Sequence, residues 1–170
     1  MTTPSEVLYR LIPLTQGQWS IVDASDYDYL MQWKWSARWN KSTQSFYAIR
    51  NSSRAAKEGR HTVLMHRYII GLEKSDSRKG DHKNRNTLDN RRGNLRMATN
   101  SENLQNSKTP IHNKSGYKGV SWRKNGQRWI AQIGINGKNH HIGRFHTAEE
   151  AYAAYCASAK KLHGEFGRTV

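Results

Sequence analysis

The sequence predicts an α+β chain made of small modules, and three observations carry that expectation. Apolar residues make up only 35% of 170, with six Trp and eight Tyr among them, which suits several modest cores better than one large core. Runs with the two-residue period of strands recur along the chain, separated by Asn/Gly/Ser turns. Two Thr-x-x-Glu capping boxes, Thr99–Glu102 and Thr147–Glu150, each open a helix directly after such a run. The layout expected is a mixed β module over 1–72, a strand–loop–strand–helix motif over 73–106 and a linker over 107–114. A three-stranded antiparallel sheet with one helix completes it over 115–170.

In the first module, Asp26-Tyr-Asp-Tyr-Leu-Met-Gln reads as a short helix capped by Ser25 or Asp26. Trp33, Trp35, Ala37 and Trp39 then alternate with Lys34, Ser36 and Arg38, a strand with one aromatic face. That face is expected to be core, because a small sheet needs large side chains to bury. NKSTQS turns the chain into the return strand FYAIR. Ser52–Arg60 is a polar connection and His61–Met65 another strand. HRYIIGL follows as a short helix in which His66 reads as a structural histidine.

The most informative stretch is Asp81–Asn106, DHKNRNTLDNRRGNLRMATNSENLQN. Gly80–Lys83 can pair with the alternating run NLRMA across a long polar loop. The Thr99 box then starts a helix with Asn103 in its second turn. This frame can bring Asp81, His82 and Asn103 together. A carboxylate and an amide oxygen are hard ligands suited to Mg²⁺, which keeps waters and accepts phosphate oxygens. A histidine beside such an ion can take a proton from water. Asn84, Asn86 and Asn90 read as turn residues, since asparagine bonds its own backbone and tolerates left-handed geometry.

With its flanking LDNRRGNLR, this stretch resembles the ββα-metal nuclease motif of the HNH family, in the form whose last histidine is asparagine, as in phage and intron-encoded homing endonucleases. The resemblance implies His82 as general base, Asp81 and Asn103 as ligands of one Mg²⁺ or Mn²⁺, and Asn94 as the residue that ties down the loop and orients His82. Arg91, Arg92 and Arg96 are the DNA contacts expected beside it. A Met-His-Arg segment ahead of the motif is common in the family, which gives His66 a bracing role.

In the last module, Tyr117–Trp122, Trp129–Ile135 and His140–Phe145 read as strands, joined at Lys124-Asn-Gly-Gln and at the turn signal Asn136-Gly137. The Thr147 box opens a helix with Tyr152, Tyr155, Ala159 and Leu162 on one face, ending at Gly164. GYKGVSWRKNGQRWIAQI and GRFHTAEEAYAAYCASAKKLHGEF make the module similar to the AP2 DNA-binding domain. The resemblance implies that the exposed sheet face enters the major groove. Lys118, Trp122, Arg123, Arg128, Trp129, Lys138 and Arg144 are the candidate contacts, with both tryptophans shared between core and DNA. His140 and His141 are adjacent on a strand and make a poor metal pair.

Charge supports a nucleic-acid partner. The formal net charge is +15, and residues 103–148 hold eight Lys/Arg and no Asp or Glu. Cys156 is the single cysteine, which excludes an intrachain disulfide and a cysteine-based zinc site. No segment has the length and apolarity of a membrane span or a signal peptide, so a soluble protein of a reducing compartment, the host cytoplasm if phage-encoded, is expected. The combined expectation is a metal-dependent endonuclease acting on double-stranded DNA, as monomer or dimer, nicking or cutting both strands. A DNA-binding regulator with an inactive nuclease frame and a nonspecific phage nuclease are the alternatives.

Overall fold

A computed structural model describes residues 8–53, 59–107, 109, 113–135 and 137–163. The chain divides into two compact units, Met1–Ala98 and Thr99–Val170.

The first unit opens with a hairpin that the sequence reading lacked. Strand β1 (Tyr9–Pro13) pairs antiparallel with β2 (Trp19–Asp23), and its turn takes left-handed backbone at Gln16 and Gly17. The short helix α1 spans Ala24–Leu30 with Asp23 in the cap position, two residues earlier than Ser25. Strands β3 (Ser36–Asn40), β4 (Ser45–Asn51) and β5 (Thr62–Leu64) form an antiparallel sheet in chain order, and α2 (Met65–Ile69) follows directly. A second ribbon pairs β6 (Lys79–His82) with β7 (Leu95–Ala98), Asp81 opposite Arg96 and His82 opposite Leu95.

These elements share one core of Ile12, Val22, Leu30, Trp35, Ala48, Met65, Ile69 and Leu95. One apolar cluster therefore serves both the N-terminal strands and the ribbon that carries His82. The expected aromatic face is only partly buried, because β3 runs out of the core toward Asn40. Trp35 is buried in the core, while Trp39 lies near the end of β3, half exposed against Phe46.

The second unit begins with α3 (Asn100–Asn106), whose capping box forms as expected. Glu102 N–H donates to Thr99 Oγ1 and Thr99 N–H to Glu102 Oε2 at 2.7 Å. Strands β8 (Val120–Arg123), β9 (Arg128–Ile135) and β10 (Lys138–Phe145) make a sheet in the order β10-β9-β8, and α4 (Ala148–His163) packs across one face. The first strand starts three residues later than expected because Gly119 turns the chain with φ +73°. On α4 the buried stripe is Ala148, Ala151, Tyr155, Ala159 and His163, so Leu162, expected inward, is half exposed. A helical stripe advances by three or four residues, and His163 takes the last step by bonding Gly134 O at 2.9 Å. Asn136, Gly164 and residues 108 and 110–112 of the expected linker lie outside the described residues, as do 54–58 of the polar connection.

A Cβ added at Gly119 would stand 2.3 Å from the Tyr155 ring and 2.6 Å from Gln132 O. Gly119→Ala is expected to destabilise the C-terminal unit by about 2–4 kcal/mol, from strain at positive φ plus overpacking. Loss of a calorimetric transition, or a fall in its midpoint, measures this.

Candidate active site

The long loop between β6 and β7 is held in place from three sides. Its neck closes where Lys83 N–H donates to Asn94 O. Asn94 bonds within the loop, its Oδ1 accepting from Asn84 N–H at 3.0 Å and its Nδ2 donating to Asp89 O at 2.7 Å. Asn84 and Asn86 make the local turns their residue type favours, accepting from the backbones of Asn86 and Leu88. The far side docks on β2. Ile21 N–H donates to Leu88 O at 2.8 Å and Asn90 N–H to Ile21 O at 2.7 Å, a parallel bridge outside any sheet.

His82 is buried, and Asn90 Oδ1 lies 3.2 Å from its Nε2. Asn90, read from sequence as a turn residue, is fully enclosed and donates through Nδ2 to Ser20 Oγ at 2.8 Å. The amide at the histidine ring is therefore that of Asn90, four residues before the asparagine expected to orient it. Nothing local in LDNRRGNLR distinguishes the two. The distinguishing feature is the β2 strand seventy residues upstream.

The ring of His66 sits 4.9 Å from that of His82, centroid to centroid, with Tyr47 at 5.8 Å from the first and 6.4 Å from the second. His66 thus meets its expected bracing position. It fits only because residue 80 is glycine, where a Cβ would stand 2.4 Å from His66 Cδ2. Burial, the His82 ring and Arg67, in that order, lower the His66 pKa to about 3. His82 is also pushed below its ordinary value, chiefly by burial, against the opposing pull of Asn90, Asp81 and Asp89. Both imidazoles are neutral at pH 7, the form a general base requires.

Asp81 and Arg96 face each other across the ribbon, and Arg96 Nε donates to Asp81 Oδ2 at 2.8 Å with both side chains less than a tenth exposed. Arg96, expected on DNA, is thus corrected to a buried partner of Asp81. Arg91 and Arg92 also meet carboxylates, but about half of each side chain stays exposed. Arg91 grips Asp89 through two bonds of 2.8 and 2.7 Å, and Arg92 grips Asp26 through two of the same lengths. Arg91 holds the Asp89 carboxyl below its usual range. Bidentate pairing with a carboxylate fixes a guanidinium in place. The partners of Arg92 and Arg96 lie 66 and 15 residues away, so the sequence did not disclose them. Asn103 lies half-buried in α3, its N–H bonded to Thr99 O. Among the described residues no group of three or more His, Cys, Asp or Glu is placed to hold a metal ion.

In the C-terminal unit the strand register sorts the expected contacts. Arg123 lies opposite Arg128 and Arg144 opposite Ile130, on the sheet face away from α4. Gln132, Asn139 and His141 share that face, which the sequence reading had not assembled. Trp122 and Trp129 pair across strands in register with Val120 and Ala131, so both point to the α4 side. Trp129 packs into the core there. Lys138 stands opposite Ile135, in the same register. Lys118 is corrected too: its ammonium donates to Leu104 O and Ser107 O, both at 3.0 Å, and to Gln105 O, closing the end of α3. This follows the preference of cations for helix C-termini.

Residues 64–105 match the family model for HNH endonucleases, and residues 115–165 that for the AP2 domain. An uncharacterized HNH endonuclease of Acanthamoeba polyphaga mimivirus is 30% identical over 162 residues, covering 95% of this chain and 80% of that protein. Protein 3.8 of Escherichia phage T7 is 39% identical over 88 residues, 52% of this chain and 72% of that one. No solved structure matches the chain. No helix among the described residues is long and apolar enough to cross a membrane.

The two buried histidines set a pH dependence of stability. A histidine whose folded pKa is depressed is protonated first in the unfolded chain, so stability falls as pH drops below 6.5 and keeps falling toward the folded pKa, about 3 for His66. Each pH unit within that window removes up to ~1.4 kcal/mol per histidine. Melting temperatures at pH 7.5, 6.5, 5.5 and 4.5 are expected to descend accordingly, with a shallower slope in His66→Phe.

Proposed function

We propose that this chain, which belongs to the HNH endonuclease family and carries a C-terminal AP2 domain, is a metal-dependent, homing-type DNA endonuclease that hydrolyses one phosphodiester per active site. The observation that carries the reading is the buried, neutral His82, fixed at the rim of a polar loop within an otherwise basic chain. His82 takes the proton of a water as that water attacks phosphorus, the P–O bond to the leaving oxygen breaks, and Asn94 keeps the loop closed around the base. Asp81, whose Oδ2 is engaged by Arg96, and Asn103 are the oxygen donors that the family pattern implies for one Mg²⁺ or Mn²⁺. A carboxylate with an amide oxygen suits a hard cation that keeps most of its waters. When bound, such an ion supplies charge stabilisation at the phosphate and leaving oxygen.

Double-stranded DNA is the substrate, and the AP2 sheet is its reader. Arg123 and Arg128 stand directly opposite each other with no acid anywhere from 103 to 148, an arrangement that repels itself until an anion arrives. With Arg144 on the same face, these arginines can take phosphates or guanine edges, while Gln132, Asn139 and His141 supply further hydrogen-bonding groups. A reader joined to a cutter gives a protein that selects a long site, the economy of a homing enzyme more than of a degrading one. It acts where phage or host DNA lies, in the cytoplasm.

Supercoiled plasmid or a target library, incubated with Mg²⁺, Mn²⁺ or EDTA, tests the activity. Metal-dependent nicking that falls at least ~100-fold in His82→Ala is expected. Cleavage equal in wild type and mutant would exclude the mechanism. For the reader, Arg123→Ala and Arg128→Ala are each expected to weaken duplex binding and to flatten the log K–log salt slope by about one if the arginine meets a phosphate. Fluorescence anisotropy across a salt series reads both effects.

A further inference from the structure

We infer that Ser20, on β2 of the N-terminal hairpin, is a positioning residue for the His82 base, acting through Asn90. The inference rests on the nuclease reading and adds to it a residue remote in sequence, together with the ring nitrogen on which the base acts.

Three buried groups form a chain. Asn90 Oδ1 faces His82 Nε2 at 3.2 Å, and Asn90 Nδ2 donates to Ser20 Oγ at 2.8 Å. Ser20 Oγ in turn lies 3.2 Å from Met65 Sδ and 3.3 Å from Leu88 O, with its one proton directed at these. Ser20 and Asn90 are fully buried, so each depends on the other and on its protein neighbours for hydrogen bonds. An amide has two donor hydrogens on nitrogen and only lone pairs on oxygen. With its nitrogen committed to Ser20, Asn90 presents an acceptor to His82. Nε2 then carries the imidazole proton, and Nδ1 carries the lone pair that receives the proton of water. The Asn90 backbone is itself pinned, its N–H donating to Ile21 O at 2.7 Å beside Ser20. β2 thus fixes both the position of the amide and its sense of rotation.

Asn94, expected to orient the base, has both ends of its amide engaged within the loop, at Asn84 N–H and Asp89 O. Two asparagines divide the work: Asn94 closes the loop, and Asn90, set by Ser20, selects the tautomer.

The test uses the full chain labelled with ¹⁵N-histidine, with His82 assigned by its disappearance in His82→Gln. A long-range ¹H–¹⁵N correlation at pH 7.5 is expected to show His82 as the Nε2–H tautomer. Ser20→Ala releases the Asn90 amide, and a mixture of tautomers is expected, with kcat for plasmid nicking down on the order of tenfold and KM for DNA unchanged. Ser20→Thr, which keeps the hydroxyl, is expected to restore both. A wild-type Nδ1–H tautomer would overturn the inference. So would a Ser20→Ala protein that loses rate or thermal stability while its His82 spectrum stays unchanged, because Ser20 would then be merely structural. If the wild type fails to cut DNA, the nuclease reading fails separately, and the spectra still decide whether Ser20 governs the tautomer.

Discussion

Two backbone hydrogen bonds, Ile21 N–H to Leu88 O and Asn90 N–H to Ile21 O, hold the arrangement on which the candidate site depends. A twelve-residue polar loop cannot bury a histidine by itself, because its own backbone groups would lack partners. Docking on β2 supplies those partners and brings Ser20 under Asn90 and Asn90 against His82. The hairpin β1–β2 is therefore part of the nuclease frame. The shared core says the same in apolar terms, since Ile12 and Val22 of the hairpin and Leu95 of the ribbon lie in one cluster.

The arginines around this frame illustrate how charge is used twice in one chain. Arg91, Arg92 and Arg96 each meet a carboxylate within the first unit, where forked pairing locks a loop, a helix and a strand pair into register. The Arg96–Asp81 pair is almost completely buried, and removal of either partner would leave an uncompensated charge, a loss of about 3–5 kcal/mol in comparable sites. In the second unit the strand arginines have no carboxylate opposite them. Arg123 and Arg128 oppose each other on a face with no acid, the feature on which the proposed DNA contact rests. The same residue type is paired where acids are near and lacks a carboxylate across the sheet where they are absent.

His82, the proposed base, is set by burial as much as by partners. Enclosure beside His66 and Tyr47 lowers its proton affinity, against the opposing pull of Asp81 and Asp89. Gly80 is the small residue that lets His66 approach, so a conformationally unremarkable glycine controls how closely the two rings can meet edge to face. Lys118 shows a parallel economy in the second unit, holding carbonyls at the end of α3 where a surface cation was expected.

The sequence alone determined the element order of the ribbon, helix and three-stranded sheet, both capping boxes, the catalytic pair Asp81-His82 as a candidate and the basic character of the last module. These follow from local rules, namely period two, cap spacing and net charge, which need no distant partner. The tertiary structure alone decided which asparagine meets His82, which arginines are occupied by carboxylates and which face of the sheet each tryptophan takes. Ser20 to Asn90 spans seventy residues and Asp26 to Arg92 sixty-six, and no periodicity in the chain encodes such meetings. They arise from packing two hairpins and a loop on one core, where a hydrogen bond is gained only by the residue that arrives within about 3 Å of its partner.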